Sequence, residues 1–265
     1  MPDSNLRTDP VGVFDSGVGG LSVLGEAVRQ LPGEDFIYYG DTGNAPYGTK
    51  DPDTVRRLAF DVVEKLRSQR VKAIVIACNT ATAEAAEELR AYYSFPIIGM
   101  EPALKPASEL KEPGLRLVLA TPGTLGSEKY ARLYARFGRN AVSLPCPGLM
   151  EFVEAGDRGS EQLRAYLSTL FAPYIGQPVA AVVLGCTHYP FIKPLIQSFF
   201  PAATKVLDGN AGTVRQLRRV LDREGLLNPG DTGTVSLQTS GTEQTLSLMK
   251  AMFTEAKEMT DPETY

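Results

Sequence analysis

The sequence predicts an α/β protein built on parallel sheets, and three observations carry that reading. Short runs of β-branched and apolar residues, bounded by Gly, Asp or Pro, alternate with longer amphipathic stretches along the 265 residues. The short runs are almost continuously apolar instead of alternating, the mark of strands covered on both faces. Gly and Pro are frequent, at 25 and 19, as many strand–loop–helix joints require.

Taken in order, strands are expected over 11–14, 35–39, 73–77, 96–99, 116–120, 141–144, 179–184, 204–207 and 234–238. Between them the spacing changes to the helical period. A helix over 21–30 follows a glycine turn, and one over 53–69 carries Val55, Leu58, Val62 and Leu66 along one face. Residues 82–92 open on Thr-Ala-Glu, and Ser127 is the N-cap of a helix ending at Phe137. Helices over 160–171, 191–199, 212–224 and 243–254 complete the rhythm.

The rhythm contains a repeat. Ala73-Ile74-Val75-Ile76-Ala77-Cys78 and Ala181-Val182-Val183-Leu184-Gly185-Cys186 are both apolar strands that run straight into a cysteine. The strand before Gly17 pairs with the strand before Gly123 at nearly the same offset. Two lobes follow from this, one of 11–99 plus 208–265 and one of 100–207, after a polar leader, 1–10, expected to be disordered. The chain would cross at Met100-Glu101-Pro102 and return at Val206-Leu207-Asp208-Gly209. Ligands of parallel sheets bind at the carboxyl ends of the strands, where Asp15, Thr121 and both cysteines fall.

Composition excludes several functions. The formal net charge is −4 and the Lys and Arg residues are scattered, so there is no basic footprint for nucleic acid. No apolar run approaches the roughly 20 residues needed to span a bilayer, and the N-terminus does not read as a signal peptide. Three cysteines, one histidine and no Cys-x-x-Cys pair argue for free thiols in a reducing cytoplasm and against a structural zinc site. A soluble protein acting on a small molecule is the expectation.

Three motifs could carry chemistry. Asp15-Ser16-Gly17-Val18-Gly19-Gly20-Leu21-Ser22 reads either as an anion site at a helix start or as a tight turn that merely needs glycine. Ser22 replaces the glycine of a dinucleotide fingerprint, and no Walker lysine is present. Gly40-Asp41-Thr42-Gly43-Asn44-Ala45-Pro46-Tyr47-Gly48 could surround a small polar ligand, although alone it reads better as a surface loop. The third motif is the cysteine pair. A thiolate at the start of a helix gains from the backbone N–H field, and two such cysteines at equivalent places favour function over packing. Cys146 has no counterpart in the first half and is read as structural. A Cys186–His188 nucleophile–base pair would leave Cys78 unexplained. Two thiols explain more: one removes a proton from a carbon while the other returns one from the opposite face.

Val13-Phe14-Asp15-Ser16-Gly17-Val18-Gly19-Gly20-Leu21, Gly40-Asp41-Thr42 with Pro46-Tyr47-Gly48, Ala77-Cys78-Asn79-Thr80-Ala81-Thr82, and Leu184-Gly185-Cys186-Thr187-His188-Tyr189-Pro190 together resemble the glutamate racemases of the aspartate/glutamate racemase family. The resemblance runs from about residue 11 to residue 255. It implies two pseudo-symmetric lobes with the active site in the cleft between them, no cofactor or metal, and a homodimer. It implies that Cys78 and Cys186 are the acid/bases, with Asp15 assisting Cys78 and His188 assisting Cys186. It places Ser16, Pro46, Tyr47, Gly48, Asn79, Thr80, Thr121, Thr124 and Thr187 on the amino acid's carboxylates and ammonium, with Glu154 a further acidic residue of the second half. L- and D-glutamate are the implied substrates, with D-glutamate passing to peptidoglycan. A racemase for aspartate, another amino acid or a hydantoin is the neighbouring alternative, and a non-catalytic two-lobed binding protein is the alternative from another class. The chain departs from the family at Gly43-Asn44, where Ala-Arg is common, and in the short stretch Gly99-Met100-Glu101-Pro102. Unlike helpers for the two thiols lead to different pH profiles in the two directions, each bell-shaped.

Overall fold

The computed structural model describes residues 6–259. Residues up to Met100 run β1 (Val11–Asp15), α1 (Leu21–Gln30), β2 (Phe36–Gly40), α2 (Pro52–Arg67), β3 (Ala73–Ile76), α3 (Asn79–Tyr92) and β4 (Ile97–Gly99). The chain continues through α4 (Leu104–Glu109), β5 (Leu115–Ala120), α5 (Pro122–Gly126), α6 (Glu128–Phe137), β6 (Ala141–Pro145), α7 (Leu149–Glu154), α8 (Glu161–Phe171), β7 (Val179–Leu184), α9 (Lys193–Gln197) and β8 (Lys205–Asp208). It closes with α10 (Asn210–Arg223), β9 (Val235–Thr239) and α11 (Glu243–Glu258). Two compact units result: the described residues through Met100 together with those from Asn210, and Glu101–Gly209.

Each unit holds one all-parallel sheet. The first has the order β4-β3-β1-β2-β9 and the second β6-β5-β7-β8. Read from the opposite edge, the second order is 8-7-5-6, which matches 4-3-1-2 strand for strand. The match extends to single hydrogen bonds. Ala77 N donates to Phe14 O, and Gly185 N donates to Leu119 O, both at 2.7 Å. Asp41 N donates to Asp15 O at 2.9 Å, and Cys146 N to Ala120 O at 3.0 Å. Cys146 therefore does have a counterpart in the first unit, which corrects the sequence reading. It is Asp41, invisible to residue-type matching because a thiol and a carboxylate occupy the same place.

The core follows from strand alternation. Phe14, Ile74 and Ile76 point to one face of the first sheet and join Val55, Leu58, Val62 and Leu66 of α2 and Ala81, Ala85 and Leu89 of α3 in one buried cluster. Removing such side chains from water supplies about 1.5–3 kcal/mol each. Elsewhere in this unit α1 lies against α10 and α11. The contact with α11 is close enough that a Cβ on Gly25 would come within 2.6 Å of Ala256 O. In the second unit Val118, Ala181 and Val183 pack with Leu104, Ala107, Tyr130 and Leu133.

Several elements differ from the sequence expectations. Helix α3 begins at Asn79, ahead of Thr82, because Cys78 caps it. The stretch 191–199 is not one helix: Pro190 and Pro194 divide it into a 3-10 turn at Tyr189–Ile192 and α9. The short helices α4, α5 and α7 have too few turns to show a period. Edge strands β6 and β9 are only partly covered, so burial on both faces holds for the central strands alone. Residues 1–5 of the expected disordered leader lie outside the described residues. Its remainder is partly ordered, since Leu6–Thr8 forms a 3-10 turn. Arg7 Nε donates to Leu227 O at 2.9 Å, and Arg7 O accepts from Lys72 Nζ, which is buried in an ion pair with Glu34.

Candidate active site

Sheet register gathers the candidate residues of the first unit. Asp15 ends β1 opposite Gly40 of β2, Gly40 lies opposite Thr239 of β9, and Phe14 lies opposite Ile76 of β3. Asp15, Asp41, Ser240 and the Cys78 segment thus leave the sheet from its carboxyl edge. The Asp15 carboxylate accepts from Ser16 N at 2.8 Å and Gly20 N at 2.7 Å. It therefore holds the glycine turn shut. No side chain fits at Gly20, where a Cβ would lie 2.7 Å from the Asp15 Cβ. Asp15 also accepts from Ser16 Oγ at 3.4 Å, and Ser16 Oγ lies 3.6 Å from Cys78 Sγ.

Cys78 has extended backbone angles and caps α3, with its sulfur accepting from Ala81 N at 3.4 Å. A helix start of this kind stabilises a thiolate. Asn79 and Thr80 are the first residues of the helix and are buried. Both polar atoms of the Asn79 side-chain amide are buried without a hydrogen-bond partner, although the residue is only 6% exposed. Leaving such a group unsatisfied costs about 1–3 kcal/mol, which a ligand's polar groups would recover. Residues 46–48 begin after a cis Ala45–Pro46 peptide, and the Tyr47 ring is buried in the same cluster as Cys78. The Tyr47 hydroxyl donates to Asp41 Oδ2 at 2.6 Å. Burial first, and then Asp41, raises its pKa well above the usual phenol range.

The candidate group in the second unit is built differently. Cys186 follows β7 but precedes no α-helix, only the 3-10 turn. Its sulfur lies 3.6 Å from His188 Nδ1, and His188 Nε2 lies 3.0 Å from Glu154 Oε1. His188 is almost fully buried, whereas the Glu154 side chain is 28% exposed. A carboxylate on Nε2 fixes the ring's orientation. Thr187 is buried beside them. Thr121 caps α5, accepting from Thr124 N at 3.2 Å and donating from its hydroxyl to Thr124 Oγ1 at 3.0 Å.

Below Cys186 lies Cys146, whose thiol donates to Leu144 O at 3.2 Å. Burial, and secondarily Cys186, pushes the Cys146 thiol from 9.0 up to about 12. Burial likewise holds the neighbouring Tyr189 phenol far above its ordinary value. The unfolded chain releases the Cys146 proton first as pH rises. The stability tied to this group is therefore full below about pH 9 and declines toward about pH 12. Replacing Cys146 with Ala is expected to make that alkaline loss shallower in urea melts taken across this range. An unchanged slope would refute the assignment. Among the described residues there is no cluster of His, Cys, Asp and Glu able to hold a metal, and no helix is long and apolar enough to cross a membrane.

The expected residues thus gather into two groups. Asp15, Ser16 and Cys78 are in direct succession, with Asn79, Thr80 and residues 46–48 in the same unit. Cys186, His188 and Glu154 form the second succession, with Thr187, Thr121 and Thr124 in that unit. Asp41 and Asn44 belong to a loop that the sequence marks without giving either of them a role, and Ser240 is not marked at all. The turn-rich stretch after β2 was the available signal for Asp41 and Asn44, and nothing local marks Ser240.

Each of the two α/β units thus carries a buried thiol at the same strand end, with a hydroxyl or an imidazole beside it, on the frame of an amino-acid isomerase. The chain belongs to the Asp/Glu/hydantoin racemase family, whose model matches residues 14–217. It is 52% identical over 235 residues to a glutamate racemase of Clostridium novyi, a match covering 87% of this chain and 91% of that protein. Among solved structures, it is similar to the glutamate racemase isoform RacE1 of Bacillus anthracis, with a TM-score of 0.83 and 28% identity, covering 94% of this chain and 95% of that one. It is also similar to the Francisella tularensis glutamate racemase in complex with D-glutamate, with a TM-score of 0.80 and 29% identity, covering 94% of each chain.

Proposed function

We propose that the chain interconverts L- and D-glutamate without a cofactor, with Cys78 and Cys186 as the two acid/bases. The observation that carries this reading is the thiol repeated at the equivalent strand end of both sheets, each with its own polar partner. The mechanism needs one thiol at each face of Cα. A thiolate takes the Cα proton, so a C–H bond breaks and an S–H bond forms. The opposite thiol then gives its proton to the other face of the carbanion and becomes the thiolate, ready for the reverse direction. Because the products are mirror images, the same two groups serve both directions with exchanged roles.

An amino acid's Cα–H is far less acidic than a thiol, so the developing carbanion must be stabilised. Fixed donors on the α-carboxylate do this best where water is excluded. Asn79 suits the task, since its amide brings one donor and one acceptor that are otherwise unsatisfied. Ser16, Thr80, Thr121, Thr124, Thr187 and residues 46–48 complete the proposed substrate set. Asp15 serves the Cys78 side through the glycine turn and Ser16. His188, backed by Glu154, serves the Cys186 side. Glutamate as the substrate rests on the relatives' names and on the neighbour bound to D-glutamate. Delivery of D-glutamate to peptidoglycan, a cytoplasmic location and a homodimer are carried over from the family resemblance.

The test is incubation of each enantiomer of glutamate and of aspartate in D2O, read by proton NMR at Cα and by chiral chromatography. Glutamate is expected to racemise with solvent deuterium at Cα. Aspartate, one methylene shorter, is expected to lose about 10–200-fold in kcat/KM. Equal turnover of aspartate, or racemisation of glutamate without exchange, would sink the proposal.

A further inference from the structure

We propose that Asp41 is the positioning residue of the substrate loop at 46–48, and that it withdraws the Tyr47 hydroxyl from substrate contact. The inference rests on the proposed role of that loop. Asp41 is almost fully buried at the carboxyl end of β2. Its carboxylate accepts from the Tyr47 hydroxyl at 2.6 Å, from Ser240 Oγ at 2.7 Å, and from Asn44 Nδ2 at 3.1 Å on each oxygen. Its backbone N–H is anchored on Asp15 O. The donors come from two segments distant in sequence, the loop itself and the residue after β9. Further bonds bind the same segments: Gly43 N donates to Ser240 Oγ at 2.9 Å, and the hydroxyls of Thr42 and Thr239 meet at 2.7 Å.

The donors on the carboxylate are all neutral: a phenol, a serine hydroxyl and the Asn44 amide. A buried carboxylate without a cation is tolerable only when its lone pairs are filled, so all of these bonds matter at once. Filling them fixes the loop on the β1–β2–β9 edge. The bonds from Tyr47 and Ser240 are short, at 2.6 and 2.7 Å, and with the pair from Asn44 they give the loop one position. A hydroxyl committed to Asp41 has no proton to offer a substrate. Tyr47 then contributes its backbone and its ring, which packs in the cluster with Cys78, and its phenol does not compete with the thiols in reprotonating the carbanion.

Asp41→Asn, Ser240→Ala, Tyr47→Phe and the Asp41→Asn/Tyr47→Phe pair test this, with steady-state kinetics and amide hydrogen exchange over residues 43–48. Each single change is expected to speed exchange in that loop and to raise KM for both enantiomers about tenfold or more, with kcat altered much less. The pair should cost no more than Asp41→Asn alone, because losing the carboxylate already disrupts the bond that Tyr47→Phe removes. Independent, additive losses from Asp41 and Tyr47 would overturn the proposal, as would an effect of Tyr47→Phe alone. Unchanged exchange in Asp41→Asn would do so whatever the activity. Ser240→Ala, which removes one donor, serves if Asp41→Asn fails to fold. Wild-type protein that leaves glutamate untouched would refute the catalytic reading instead, and the exchange measurement would still decide the role of Asp41.

Discussion

Replacing either Cys78 or Cys186 with serine is expected to lower glutamate racemisation by about 10²–10⁴-fold or more. A positioned acid/base supplies rate of that order, and a hydroxyl is far too weak an acid to hold the anion a thiol holds. The two losses should be alike, because each turnover uses both groups. What survives should be specific: in either variant the remaining thiol can still remove a proton from the enantiomer whose Cα–H faces it and return a deuteron to the same face. Cys78→Ser is thus expected to exchange one enantiomer with D2O without racemising it, and Cys186→Ser the other. Racemisation at the wild-type rate in either variant would end the two-thiol mechanism. Loss in Cys186→Ser alone would favour a single thiol with His188.

The second large effect is expected at His188. Its ring lies between Cys186 Sγ and the Glu154 carboxylate, at 3.6 and 3.0 Å. His188→Asn should cut kcat about a hundredfold in one direction and distinctly less in the other. Cys78 has no such histidine; Ser16, on Asp15, lies beside it instead. Glu154→Gln keeps the shape and loses the charge, and should show the same bias at about tenfold. Enantiomers in water have an equilibrium constant of unity, so kcat/KM must fall equally in both directions, and the bias can appear only in kcat. The expectation of different pH profiles narrows in the same way. The kcat bells for L- and D-glutamate should have displaced limbs while the kcat/KM bells superimpose. Superimposed kcat profiles, or an unbiased loss in His188→Asn, would show that the helpers are equivalent.

The parallel frame was legible because central strands bury both faces. Val11, Val13 and Phe14, or Val182 and Val183, cannot be anything but apolar there. Edge strand β9, with no fully buried residue, is still legible from Val235 and Leu237 alternating with polar residues. A helical cap is legible where a serine announces it, as at Ser127, and is missed where a cysteine does the work. No residue-type rule lists a thiol as an N-cap, so α3 was placed three residues late.

The sequence by itself determined the strand-end cysteines and His188 close to the second, because Cys186-Thr187-His188 is local in the chain and the repeat is a matter of spacing; Asp15 as the helper of Cys78 came only from the family resemblance. Only the tertiary structure decided which distant groups meet them. Glu154 reaches His188 because β7 and α7 belong to one packed unit. Ser16 reaches Cys78 because β1 and β3 are neighbours in register. Asp41 gathers Tyr47 and Ser240 because β9 returns to pair with β2. Those meetings depend on strand order and register, which hydrogen bonding between strands sets across long stretches of chain, and no short motif records them.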